Sequence, residues 1–109
     1  MKILITENKR YQLAYKILDD ILNGLTREDI DLNKDSVFSN QQIIFRDKSG
    51  DIFMWWSEKY DLLEVNKGMW EPLRLFSFSY DELERVIYWW FKDRLRIEPT
   101  EVNIVGDYD

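Results

Sequence analysis

The stretch Asp29-Ile30-Asp31-Leu32-Asn33-Lys34-Asp35 places oxygen-bearing side chains at alternate positions. That is the spacing with which an EF-hand loop begins to wrap calcium. Such a loop also needs a glycine at its sixth position for the sharp turn and a bidentate glutamate at its twelfth. Those positions hold Lys34 and Asn40. The stretch is therefore read as a solvated turn or a helix-capping loop, not as a metal site. Further carboxylates come close together at Asp19 and Asp20, Glu82 and Glu84, and Asp107 and Asp109. Two carboxylates facing one cleft can divide acid and base work between them. Nothing in the spacing makes these converge. Asp19 and Asp20 fall on the polar face of a helical stretch. Asp81, Glu82 and Glu84 open a second helix, where the positive end of the macrodipole favours negative charge.

The remaining chemical inventory is short. The 109 residues contain no His and no Cys. Without His the commonest general base and transition-metal ligand is missing. Serine–histidine and cysteine–histidine nucleophiles are impossible, as are disulfides and thiolate metal sites. No glycine-rich phosphate loop or dinucleotide fingerprint occurs. The sequence is accordingly expected to be non-catalytic, with no catalytic residue, no cofactor and no metal. An enzyme built on it would have to use carboxylates alone.

Charge narrows the partners. Net charge is −6, from 21 acidic and 15 basic side chains. Such a chain repels phosphates unless its basic residues cluster. The nearest approach to a cluster is Lys92, Arg94 and Arg96, interrupted by Asp93. Direct nucleic-acid binding is not expected. No apolar run approaches the length of a membrane span. The opening MKILITENKR lacks the apolar core of a signal peptide, so neither membrane insertion nor secretion is expected. Hydrophobic residues make up 45% and aromatics 16%, with five Trp, six Tyr and six Phe. Each aromatic can bury roughly 150–250 Å², which is ample for a single domain spanning residues 1–109.

The elements that must position any site follow from periodicity. Residues 2–5, KILI, read as a strand, with Thr6 as the N-cap of a helix. In ENKRYQLAYKILDDILNG, Tyr11, Ala14, Leu18, Ile21, Leu22 and Leu25 share one broad face at a 3.6-residue period, and Gly24 supplies the stop. Residues 26–36 read as a polar connector. Ile43–Arg46 and Ile52–Trp56 form a hairpin around Asp47-Lys48-Ser49-Gly50. Tyr60–Val65 and Met69–Phe78 read as a second hairpin around Asn66-Lys67-Gly68, with that Gly at positive φ and Pro72 marking an edge or bulge. Ser79 and Glu82 form a capping box for a helix from Tyr80 to about Arg96. A last strand lies near Val102–Val105. The order is β-α-β-β-β-β-α-β. It predicts an α+β fold, an antiparallel sheet of about four to six strands with two helices packed on one face.

Two adjacent tryptophan pairs pose the functional question. A helix turns about 100° per residue, so Trp90 falls with Leu83, Ile87 and Phe91 on the core face, and Trp89 falls among Glu82, Arg85, Lys92 and Asp93. Two readings stand for Trp89: a ring lying on the stems of Arg85 or Lys92, or a contact surface, since Trp is enriched in binding hot spots. Trp55 and Trp56 point to opposite faces of a strand. A sheet with one uncovered face leaves one of them partly wet or against a partner. The interface candidates are therefore Trp89, Trp55, Trp56, Arg85 and Lys92.

The opening MKILITE and the segment FSYDELERVIYWWFKDRLRI, residues 78–97, resemble stretches of small uncharacterised proteins of tailed bacteriophages. The resemblance covers about a quarter of the chain and carries no functional residue. It implies a phage accessory or virion protein, located in the virion or the host cytoplasm. The expected function is a non-catalytic protein–protein interaction module, with a protein partner or self-association. The alternative is a small acidic inhibitor that blocks a basic nucleic-acid-binding groove of a host protein.

Overall fold

The computed structural model describes residues 7–31 and 40–106. Within them the elements run α1 (Glu7–Asn23), β1 (Thr26–Asp31), β2 (Gln41–Arg46), β3 (Ile52–Ser57), β4 (Leu62–Val65), α2 (Lys67–Trp70), a 3-10 segment (Glu71–Phe76), α3 (Tyr80–Leu95) and β5 (Glu101–Ile104). The predicted α+β class holds. The five strands form one sheet in the order β1-β2-β3-β4-β5. The strand expected at residues 2–5 and the Thr6 cap lie outside the described residues.

Side chains alternate across a sheet, and the register turns this alternation into two apolar rows. One row is Ile43, Trp56, Leu63 and Val102, and the next is Phe45, Met54, Val65 and Ile104. All eight are buried. They form one core with Ala14 and Leu18 of α1 and Leu83, Val86, Ile87, Trp90 and Phe91 of α3. Both long helices thus cover the same sheet face, as the sequence predicts. The capping box at the start of α3 is present: Glu82 N–H donates to Ser79 Oγ at 3.2 Å and Ser79 N–H donates to Glu82 Oε1 at 3.1 Å. The β2–β3 turn is also as expected. Asp47 Oδ1 accepts from the amides of Ser49 and Asp51 at 2.9 Å each, and Gly50 takes a φ of 89°.

Four expectations are corrected. Residues 26–31 are not connector but the edge strand β1, paired antiparallel to β2 along its whole length. Asp29 and Asp31 therefore stand on an extended strand rather than in a turn or capping loop, and Asp29 accepts from Arg27 at 2.7 Å. The second hairpin does not form. After β4 the chain turns helical, because Asn66 ties the start of α2 to β3: its N–H donates to Phe53 O at 2.9 Å, and its Nδ2 donates to Ile52 O at 2.5 Å. Pro72 opens the 3-10 segment, where its missing N–H costs nothing. The apolar run Met69, Trp70 and Leu73 is buried by helical rather than strand geometry. Third, Gly68 is not a positive-φ turn residue; the glycines with positive φ are Gly50 and Gly106. Fourth, the sheet is mixed. β5 lies parallel to β4, since α2 and α3 carry the chain across the face before it returns.

Gly68 has a different reason to be glycine. A Cβ there would lie 2.7 Å from Phe53 Cζ, so the Phe53 ring end occupies the space. We predict that Gly68→Ala lowers stability by about 1 kcal/mol through overpacking. In a Phe53→Ala background the same change should raise stability by a similar amount, because Ala is the better helix former. Denaturant midpoints of the four proteins in this cycle check the reversal of sign.

Candidate protein-interaction surface between α1 and α3

The two long helices are fastened at both ends. At one end Arg10 of α1 donates to Phe76 O at 2.7 Å and to Glu82 at 3.5 Å, and its guanidinium lies 4.4 Å from the Phe78 ring centre. At the other end Arg94 of α3 forms a two-point pair with Asp19 of α1 at 2.8 and 3.0 Å. The indole N–H of Trp90 donates to the same carboxylate at 2.8 Å. N-terminal ends meet N-terminal ends and C-terminal ends meet C-terminal ends, so α1 and α3 run in the same direction. Asp19 is therefore a pin between helices rather than one more solvated acid. Its carboxyl is held below the ordinary aspartate value, chiefly by the Arg94 hydrogen bond, with the Trp90 N–H adding to it.

Between the fasteners lies a hollow of about 320 Å³, lined by Tyr11, Gln12, Tyr15, Arg85 and Trp89. Tyr11 and Tyr15 stand one turn apart on α1, and Arg85 and Trp89 one turn apart on α3. Tyr11 is backed by a stack on Phe78 at 5.9 Å. The Tyr15 hydroxyl donates to Asp93 at 3.2 Å. Desolvation first and the Asp93 charge second raise the pKa of Tyr15 to about 12.

Trp89 is 46% exposed, yet it is not loose. Lys92 Nζ lies 4.9 Å from its ring centre, and the Tyr88 ring meets it edge-on at 5.3 Å. Both supports converge on Glu98, which accepts from Tyr88 Oη at 2.7 Å and pairs with Lys92 at 3.6 Å. The Tyr88 hydrogen bond, then Lys92, lower the pKa of Glu98, and the pKa of Tyr88 rises correspondingly. A ring held this way loses little freedom on binding. The two sequence readings of Trp89 thus coexist: a cation lies over the ring, and the ring remains presented.

The other candidates separate. Arg85 lines the hollow and Lys92 supports its anchor. Trp56 is in the core at 7% exposure and is corrected as an interface residue. Trp55 lies on the opposite sheet face, across from Ile44 and Glu64. It lines a second hollow of about 310 Å³ with Gln42, Ile44, Ile52, Glu64 and Asn66. Trp89 and Trp55 therefore do not share a surface. The sequence reading missed Tyr11, Gln12 and Tyr15 as site residues. The signal was the Tyr11/Tyr15 spacing, which sets two rings on one flank of the helix. No group of acidic residues suited to a metal ion occurs among the described residues, and no described helix is long and apolar enough to cross a membrane.

Compared with known proteins, the chain matches no family model, no curated protein and no solved structure.

The Asp19 pin predicts an acid limb of stability. Its pKa is lowered on folding from 3.8, so its contribution is fully present above that value and lost as pH falls through the lower folded value. Asn at this position can still accept from Trp90 but carries no titrating charge. Urea midpoints of Asp19→Asn should lie below wild type at neutral pH, and the two curves should converge on acidification below about pH 4.

Proposed function

We propose that this chain is a non-catalytic protein-interaction module whose contact surface is the α1–α3 hollow, with Trp89 as its anchor. One observation carries the reading. An exposed tryptophan, braced by Lys92 and Tyr88, stands beside two tyrosines and an arginine in a concavity walled by two cross-braced helices. Trp, Tyr and Arg are the residues in which binding energy concentrates. A pre-set ring in a rigid wall lowers the cost of association. The resemblance at residues 1–7 and 78–97 supports reading the module as a phage accessory or virion component, acting in the virion or the host cytoplasm. Its partner is a protein or a second copy of itself.

A second reading rests on a different surface. Asp81 and Glu84 of α3 and Glu101 of β5 line a cleft with Tyr88, Thr100, Val102 and one cation, Arg85, and none of the three acids is in an ion pair among the described residues. An acidic edge of this kind suits an inhibitor that fills a basic groove of a host protein. Such a complex weakens steeply with salt.

The test compares wild type with Trp89→Ala. Light scattering across a concentration series reads self-association, and crosslinked capture from lysate reads a heterologous partner. Loss of a hot-spot tryptophan is expected to weaken either by about thirtyfold or more, with the unfolding midpoint nearly unchanged because the ring is half exposed. Equal association by the mutant refutes Trp89 as the anchor. Salt-sensitive binding lost instead on Asp81→Lys moves the function to the acidic edge.

A further inference from the structure

We infer that the α1–α3 hollow takes an extended acidic peptide segment, which presents an aromatic side chain to Tyr11, Tyr15 and Trp89 and a carboxylate to Arg85. The inference rests on the interaction reading above and adds the chemistry of the partner.

The lining consists of three aromatic rings, one amide and one cation, with no carboxylate. That is an unusual spot on a chain of net charge −6. The cations around it are nearly all engaged. Arg10 is held by Phe76 O and Glu82, Arg94 by Asp19, and Lys92 by Glu98. Arg85 is exposed and makes no hydrogen bond or ion pair among the described residues; its charge contributes only weakly to lowering the pKa of Glu82. An arginine fork with open donors matches a carboxylate in two-point geometry.

The same arrangement disfavours a cationic occupant. Aromatic faces attract cations, but Lys92 already lies over Trp89 and Arg94 lies 5.4 Å from the Tyr15 ring centre. Those two ring faces are thus already taken by cations of this chain, and Arg85 adds a third positive charge at the lining. What remains is ring surface for an aromatic side chain, which pairs well offset or edge-on. Gln12 adds one donor and one acceptor group for a peptide backbone. A nucleotide fits less well. Phosphate recognition uses a helix N-terminus or several donors, whereas Arg85 and Trp89 are mid-helix and Arg85 is the one cation in the lining. At about 320 Å³ the hollow is at the small end of ligand sites, so it suits one large side chain and its neighbours along an extended strand.

The experiment is selection of a random linear peptide library on the intact protein, followed by calorimetry and by NMR of the Trp89 indole N–H. The expected result is a consensus of an aromatic residue flanked by Asp or Glu that shifts the Trp89 signal. Affinity should fall about ten- to hundredfold on Arg85→Glu, as for loss of a charge-assisted pair, and less on Arg85→Lys, which keeps charge without the fork. Raised salt should weaken binding. Peptides that need Trp89 but have a neutral or basic consensus, and ignore Arg85→Glu, overturn the acidic assignment and leave the interaction module standing. Selected peptides indifferent to Trp89→Ala, or an empty selection, overturn both. Trp89 shifts caused by adenosine monophosphate alone make the hollow a small-molecule site and overturn the inference. Shifts caused by raising protein concentration alone assign it to a second copy, with the same consequence.

Discussion

Asp19 receives three hydrogen bonds from one helix while belonging to another, and the placement of the remaining surface follows from that. Two of the bonds form the pair with Arg94, whose partners are both substantially exposed, so the ion pair itself contributes little, about 0–1 kcal/mol. The third bond matters more. Trp90 is fully buried, and its indole N–H would otherwise be an unpaired donor in the core, at a cost of about 1–3 kcal/mol. The carboxylate thus gives the buried indole of Trp90 a partner where α3 meets α1, which the buried indole N–H of Trp56 lacks among the described residues. Once Trp90 is inward, the 100° step of the helix turns Trp89 outward. The presented ring is a geometric consequence of the buried one.

The same division appears on β3 with a different period. There the step between neighbours is a half-turn, so Trp56 enters the core and Trp55 emerges on the uncovered face. Trp55 is partly sheltered by its cross-strand neighbours and makes a long hydrogen bond to Gln42 at 3.4 Å. Trp89 has no comparable cover, only supports from behind. The two outward tryptophans are therefore unequal. The hollow at Trp89 combines three aromatic rings with a guanidinium that has no hydrogen-bond or ion-pair partner among the described residues, whereas the hollow at Trp55 is lined by amides, two isoleucines and the carboxylate of Glu64.

Much of this was legible in the sequence where local rules decide the outcome. The 3.6-residue period gave both long helices, the Ser79–Glu82 box fixed the start of α3, and Asp47-Lys48-Ser49-Gly50 fixed the β2–β3 turn. The same period separated Trp90 from Trp89. Local rules failed where partners elsewhere in the chain decide. Thr26–Asp31 has almost no apolar pattern, because it is an edge strand whose conformation comes from pairing with β2. Met69–Phe78 is a short apolar run, which periodicity does not assign to strand or helix; the bonds of Asn66 to β3 and the Phe53 ring of that strand settle it. The Tyr11/Tyr15 half of the hollow was hidden for a similar reason. It forms a hollow only with α3 lying alongside, and the pin that puts α3 there, Asp19, reads in isolation as a surface acid.

The parallel placement of β5 has a consequence for how the chain is made. The finished sheet is edged by β1 and β5, and until β5 pairs its second edge is β4. β1 carries Arg27, Glu28, Asp29 and Asp31, charges that discourage another strand from docking. β4, with Leu62, Leu63 and Val65 beside the lone Glu64, has no such protection of its own and is shielded by β5. Yet β5 follows α3 in the chain, and its partner β4 precedes α2. Pairing across so long a crossover forms slowly, after loop closure has been overcome. A nascent chain therefore displays an unguarded apolar edge through the whole synthesis of α2 and α3. Aggregation during production is a risk set by strand order rather than by final stability.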